Sequence, residues 1–229
     1  MNTATYTATR SRLETYFDRT AVEAWKRLTS DAPVGSIRAT VRAGRDAMRC
    51  TLLSWLPADL RGSRLLDAGC GTGALAVEAA GRGAAVVAID LSPTLVGLAQ
   101  DRAGTLPITW RVGDMLDPAL GRFDHVVAMD SLIHYRAADV VRALAALAPR
   151  TERSILFTFA PRTPALTMMH AAGKLFPRGN RSPAIQPLGE RALHGAIAAE
   201  PALHPFRIAR TRRIAAGFYI SQALELVRR

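Results

Sequence analysis

Leu65-Leu66-Asp67-Ala68-Gly69-Cys70-Gly71-Thr72-Gly73 is the stretch whose reading fixes the rest of the chain. An apolar run of strand length ends in a carboxylate, glycine then takes every second position, and a helical pattern begins at Ala74. Glycine permits the tight strand-to-helix turn and lets a ligand touch bare backbone, with a helix N-terminus behind it. Outward from this loop the period alternates. Residues 64–68, 85–90, 108–113, 123–129 and 154–160 are short apolar runs, and residues 137–148 carry a helical pattern before the fifth. Alternation of this kind implies an α/β fold, a mainly parallel sheet with helices on both faces. A helix over 191–199 and closing strands at about 206–214 and 217–227 complete a seven-stranded, Rossmann-like sheet.

Before the loop, residues 10–56 read as helical, broken into two helices by Asp31-Ala32-Pro33 because proline disfavours helix at the residue before it. Leu13, Tyr16 and Phe17 share one face of the first helix. Ile37, Val41, Met48, Leu52 and Leu53 recur along the second, and Arg38, Arg42, Arg45 and Arg49 run down one side of it. Residues 1–60 are thus expected to form a helical arm and cover, and 61–229 the Rossmann-like domain. About 161–188 reads as an inserted cap, since five prolines and an apolar-basic stretch around Met168, Met169 and Phe176 interrupt the alternation.

Taken alone the glycine loop is ambiguous, because Gly69, Gly71 and Ala74 also satisfy a dinucleotide fingerprint. Asp67 separates the readings. A carboxylate at a strand tip repels a pyrophosphate, yet suits the ammonium end of S-adenosylmethionine, which carries no phosphate. Asp90 ends the second strand, 17 residues beyond Gly73, where it can accept from both ribose hydroxyls. Asp114 follows the third strand, placed to accept from an adenine amino group, with Met115 beside the ring. The expected cofactor shell is Asp67, Gly69, Cys70, Gly71, Gly73, Asp90, Leu91, Asp114, Met115 and Met129. Cys70 reads as a small space-filler rather than a nucleophile.

Composition is that of a globular chain, with 49% hydrophobic and 21% charged residues among 229. Two cysteines are too few for a disulfide framework or a zinc site, so no protein-bound metal is expected. No apolar stretch reaches the roughly 18 residues that span a bilayer. The Thr-rich start lacks the apolar core of a signal peptide, and a cytoplasmic location is expected. The net charge of +11 is carried almost wholly by arginine, Lys26 and Lys174 being the lysines. Such a field attracts anions of any class. Arginine is spread through the chain with no aromatic-studded basic motif, which argues against a nucleic-acid partner.

After the fourth strand, Asp130-Ser131-Leu132-Ile133 stands where enzymes that methylate nitrogen usually carry an Asn/Asp-Pro-Pro-aromatic tetrapeptide, so an oxygen nucleophile is favoured. Here the chain resembles the magnesium-protoporphyrin IX O-methyltransferase family of class I methyltransferases. The resemblance rests on "YFDRTAVEAWKRLTSD" (16–31), "IRATVRAGRDAMR" (37–49), "DSLIHY" (130–135), "FTFAPRTPALTMMHAAGKLFPRGNRSP" (157–183) and "GFYISQALELVR" (217–228). Two departures are Val22-Glu23-Ala24, where aromatic or acidic residues are common, and the arginine-rich cap.

The resemblance implies methyl transfer from S-adenosylmethionine to a ring propionate of magnesium-protoporphyrin IX. The expected products are the 13-monomethyl ester and S-adenosylhomocysteine, with the magnesium carried by the porphyrin. It implies Tyr16 and His134 beside the reacting propionate, holding it by hydrogen bonds, or His134 approaching the magnesium. The arm and cap are expected to cover the macrocycle, with Arg38, Arg42, Met168 and Met169 as substrate contacts. The porphyrin-binding subunit of magnesium chelatase is the implied partner, and peripheral membrane association is compatible with the apolar cap. A second reading is an O-methyltransferase for another small carboxylic acid or hydroxyl compound. The chemistry agrees with a propionate acceptor, which is already ionised at neutral pH and needs no strong general base. Attack of an anion on a sulfonium cation neutralises charge, so alignment and removal of water suffice.

Overall fold

In the computed structural model, which describes residues 4–17, 36–162 and 184–229, the apolar runs become strands within three residues of their expected ends. They are β1 (Arg64–Ala68), β2 (Ala85–Asp90), β3 (Ile108–Val112), β4 (Phe123–Ala128), β5 (Thr151–Phe159), β6 (Phe206–Ala216) and β7 (Tyr219–Arg228). They form one sheet in the order β3-β2-β1-β4-β5-β7-β6. The first five run parallel, and β7 pairs antiparallel with both β5 and β6. The chain builds outward from β1 through β2 to β3, then returns to start β4 on the other side of β1. The loops after β1 and β4 therefore part company, and an open crevice lies at that switch point.

Period-two alternation sorts the core between two faces. Leu65, Val86, Ala88, Val127 and Leu156 face α2 (Ser36–Trp55) and α3 (Ala74–Gly81), which cover them with Met48, Leu52, Leu53 and Leu75. Leu66, Val87, Ile89, Val126 and Phe157 face the other way. That side is closed by α5 (Ala137–Leu147) and α6 (Glu190–Ala199) together with α1 (Ala4–Thr15). α4 (Pro93–Ala103) opens on Ser92, whose hydroxyl accepts from Leu95 N at 3.2 Å, with proline at the first helical position.

One expectation at the N-terminus is corrected. Helix begins at Ala4 rather than at residue 10. Tyr6 and Leu13 are seven residues apart, two helical turns, so both are buried on one face against the sheet's core. The threonines between them mask that stripe in a composition-led reading.

α2 lies unusually close to the β6–β7 hairpin. A Cβ on Gly44 would sit 2.5 Å from Tyr219 Cδ1 and 2.8 Å from Tyr219 Cβ and Cγ. Alanine in a helix interior normally gains about 1 kcal/mol over glycine. Here it would overpack the base of a ring that cannot swing away, at a cost of about 1–3 kcal/mol. Gly44→Ala is expected to lower the midpoint of urea unfolding. A raised midpoint would show that α2 can shift at no cost.

Candidate functional site

The crevice is built on the loop after β1. Gly69 N and Cys70 N both donate to Ile89 O, at 2.8 and 3.0 Å, which ties the loop across to β2. Asp90, at the end of β2, grips it from the other side. Its Oδ2 accepts from Gly71 N at 2.9 Å and its Oδ1 from Ser92 N at 3.0 Å. Burial raises the Asp90 pKa, and the backbone N–H groups pull it back down. Gly73 takes φ 79° as it caps α3, a conformation natural to glycine.

A cavity of about 80 Å³ opens beside this loop. Gly69 and Gly71 wall one side, followed by Asp90 and Leu91 after β2, Met115 after β3, and Met129, Asp130, Ser131 and His134 after β4. Seven expected site residues thus meet in one place: Gly69, Gly71, Asp90, Leu91, Met115, Met129 and His134. Among the lining residues that the sequence reading did not assign to the site are Leu13 of α1, Phe17 just beyond it, and Arg45 of α2. Their only signal was membership of helical stripes, which reads equally as packing.

Asp67, Cys70, Gly73 and Asp114 do not line that cavity. Asp67 is 2% exposed, and its Oδ2 has no hydrogen-bond partner among the described residues. Burial, and then the charge of Asp90, push its pKa from 3.8 up to about 7. Burial likewise raises the Cys70 thiol, with Asp67 and Asp90 adding to the shift, so a thiolate nucleophile is disfavoured.

Asp114 is engaged by the arm. Its Oδ1 accepts from Tyr6 OH at 2.8 Å and Leu116 N at 2.9 Å, and its Oδ2 from Arg10 at 2.9 Å. Tyr6 stacks on Tyr135 with ring centroids 4.9 Å apart. Burial raises the Tyr6 pKa, with Tyr135 and Asp114 reinforcing the shift, so the phenol stays a donor.

Asp130 stands apart as the only described non-glycine residue with positive φ, at 54°. Its N–H donates to Thr158 Oγ1 at 2.7 Å. Its carboxylate accepts from Tyr219 OH at 3.1 Å and from Ser221 Oγ at 3.4 Å. Arg45 Nη1 lies 3.8 Å from Oδ2. β7 thereby fixes an acidic group at the edge of the crevice after β4, and burial followed by the Asp130 charge raises the Tyr219 pKa. Asp130 was visible in the sequence only as part of the segment replacing an amine-binding tetrapeptide.

A second cavity, of about 400 Å³, runs along α1. Tyr16 and His134 both line it, so the two residues expected at the reacting group do come together. Leu13 and His134 line both cavities and form the wall between them. His134 is 8% exposed, with the Phe17 ring edge-on at 6.1 Å between centroids. Arg38 is exposed and Arg42 half-buried on α2, and neither lines either cavity. Met168 and Met169 lie outside the described residues, as does most of the expected cap. Among the described residues, no group of three His, Cys, Asp or Glu side chains is placed to hold a metal ion.

Comparison with known proteins agrees with this architecture. Residues 65–152 match the family described as methyltransferase domain, and residues 128–228 the family described as magnesium-protoporphyrin IX methyltransferase C-terminus. The magnesium-protoporphyrin O-methyltransferase of Rhodobacter capsulatus is 51% identical, the match covering 96% of this chain and 97% of the relative. Its namesake from Synechocystis is 32% identical over 93% of this chain and 94% of that one. The crystal structure of magnesium protoporphyrin IX methyltransferase from Synechocystis with bound S-adenosylhomocysteine superposes with a TM-score of 0.84 at 30% identity. That match covers 96% of this chain and all (100%) of the other. A shared sheet order, a glycine loop gripped from β2 and similarity over essentially the whole length lead to one conclusion: the chain belongs to the magnesium-protoporphyrin O-methyltransferase family.

Proposed function

We infer that this chain transfers a methyl group from S-adenosylmethionine to a ring propionate of magnesium-protoporphyrin IX, leaving the methyl ester and S-adenosylhomocysteine. The observation that carries the reading is the half-identical, full-length relationship to an enzyme of that name. The first cavity suits the sulfonium nucleoside. Asp90 has one backbone N–H on each oxygen and acceptor capacity left for vicinal hydroxyls. A Cβ on Gly71 would meet no atom within 4 Å, so bare backbone faces open space. The carboxylates of Asp67 and Asp90 stand at the loop, where they would repel a pyrophosphate.

S-adenosylmethionine supplies an electrophilic methyl group on a positively charged sulfur. The remaining work falls to the chain's residues. Gly69 and Gly71 admit the ligand to the backbone, Asp90 orients the ribose, and Met115 and Leu91 flank the base. Arg45 faces the carboxylate of the amino-acid tail. Leu13 and Phe17 add apolar cover from the N-terminal arm. Tyr16 and His134 hold the acceptor carboxylate from the second cavity by hydrogen bonds. No proton has to leave the acceptor, so their task is alignment of oxygen, carbon and sulfur.

The same reading implies a cytoplasmic chain peripheral to the membrane, with a magnesium chelatase subunit as supplier. Among the described residues no helix is long and apolar enough to cross a membrane. The deciding assay follows methyl ester formation by mass spectrometry with magnesium-protoporphyrin and with simple aliphatic carboxylic acids. A preference in kcat/KM on the order of 100-fold for the porphyrin is expected, because remote parts of the substrate contribute to transition-state binding. Equal rates would point instead to a general carboxyl methyltransferase.

Asp67 adds a pH signature. In the folded chain it keeps its proton to about pH 7, whereas the ordinary value is 3.8. Its contribution to stability is therefore complete below about pH 4 and is lost as the pH rises through 7. A cation bound beside the loop draws Asp67 toward its ionised form. Calorimetry in two buffers at pH 6.5 is expected to show release of about half a proton on S-adenosylmethionine binding. Asp67→Asn should abolish the release; its persistence would assign the proton elsewhere.

A further inference from the structure

The charges on the second cavity do not balance. Arg12, in the last turn of α1, and Arg136, the residue before α5, both open into it and are exposed. Arg12 donates to Ala8 O and Thr9 Oγ1, both at 3.3 Å, the long end of hydrogen bonding. Neither arginine has a carboxylate partner among the described residues. The described lining carries one acid, Asp139, which is buried and already engaged. It accepts from Thr5 Oγ1 at 2.9 Å and from Arg142 at 3.1 Å, and Arg142 does not line the cavity. Two guanidinium groups therefore face a space of about 400 Å³ with no carboxylate partner among the described residues.

Position narrows the ligand. The cavity shares Leu13 and His134 with the one beside the glycine loop, so whatever occupies it lies across that wall from the methyl donor. A guanidinium binds a carboxylate through two parallel N–H···O bonds, a geometry that an ammonium cannot reproduce. We propose that Arg12 and Arg136 form a clamp for a carboxylate of the methyl acceptor, gripping the propionate that is not methylated while Tyr16 and His134 face the one that is. The clamp rests on the substrate reading above and names the part of that substrate that fixes its orientation. It also implies selection for acceptors with two carboxylates. The mono-ester product would keep a grip on the clamp until it is displaced.

The test compares magnesium-protoporphyrin with its dimethyl ester, following binding by porphyrin absorbance and turnover by ester formation. In the Arg12→Ala/Arg136→Ala chain, the Kd and KM for the diacid should rise at least about tenfold with kcat within about threefold, since two charge-assisted contacts are lost. Binding of the dimethyl ester and of S-adenosylhomocysteine should be unchanged. Lysine at both positions keeps the charge but loses the fork, and should restore only part of the affinity. An alanine pair that binds the diacid within about twofold of the parent would overturn the clamp while leaving the substrate reading intact. Parallel loss of S-adenosylhomocysteine binding would mark both arginines as structural and overturn it too. A parent chain that fails to methylate magnesium-protoporphyrin at all would remove the substrate reading, and the clamp with it.

Discussion

Replacing Asp90 with alanine is expected to weaken S-adenosylhomocysteine binding by two to three orders of magnitude while leaving the chain folded. Two losses add. The ribose hydroxyls lose a charged acceptor, at about 1.5–3 kcal/mol for a hydrogen bond to a charged group. The loop loses the Oδ2 that holds Gly71 N at 2.9 Å, and with it the geometry of the bare backbone. Ser92 N also loses its Oδ1 acceptor at 3.0 Å, but α4 keeps its cap through the Ser92 hydroxyl. About 3–4 kcal/mol in total corresponds to roughly 200- to 1000-fold in Kd. Removing a half-buried carboxylate whose pKa is raised by burial also relieves desolvation, so thermal stability should change little. Asp90→Asn, which keeps one acceptor oxygen, should fall between. Isothermal calorimetry on the three chains is the measurement. A Kd for Asp90→Ala within about threefold of the parent would remove Asp90 from the ribose and leave it as a loop clip alone.

The sheet was legible because its causes are local and periodic. Continuous apolar runs such as Val86-Val87-Ala88-Ile89 are what a strand covered on both faces requires, and they became β2. The glycine loop was legible for a similar reason, since its turn demands glycine chemistry at fixed offsets. What escaped was non-local. Nothing near Arg45 announces that α2 turns it, rather than Arg38 or Arg42, into the crevice; that depends on Gly44 seating the helix against Tyr219. The approach of Tyr6 and Arg10 to Asp114 spans more than 100 residues and is invisible to any window.

Acidity at the strand tips illustrates the same division. Three carboxylates after β1, β2 and β3 could be listed from the sequence, but not their separate conditions. Asp90 borders the cavity, Asp67 is sealed behind the loop, and Asp114 is shared with the arm. Identical residue types at equivalent positions differ because neighbours from distant segments decide their solvation and their partners. The left-handed backbone of Asp130 belongs here too. Its φ of 54° is held by Thr158 and Tyr219, from β5 and the start of β7, and no short motif encodes that support.

The steepest loss expected from adding one methyl group is at Gly69. Alanine there would carry its Cβ 2.4 Å from the Cβ of Ser131 and 3.1 Å from its Oγ, and would have to hold φ +87°. The backbone conformation costs an L-residue about 1–3 kcal/mol, and the overpacking costs about 1–3 kcal/mol more. The loop cannot retreat, because Gly69 N is fixed to Ile89 O at 2.8 Å. Ser131 cannot easily retreat either, since the neighbouring Asp130 is anchored by Thr158. Gly69→Ala is therefore expected to lower stability by about 2–6 kcal/mol and to abolish measurable cofactor binding. The two components separate in the double variant. Ser131→Gly removes the colliding Cβ but not the φ strain, so Gly69→Ala/Ser131→Gly should recover roughly half of the lost stability, a positive coupling in a double-mutant cycle. Thermal unfolding and S-adenosylhomocysteine calorimetry on the parent, both single variants and the double would measure it. Strict additivity would mean that the loops after β1 and β4 do not press on each other, and that backbone strain alone makes Gly69 indispensable.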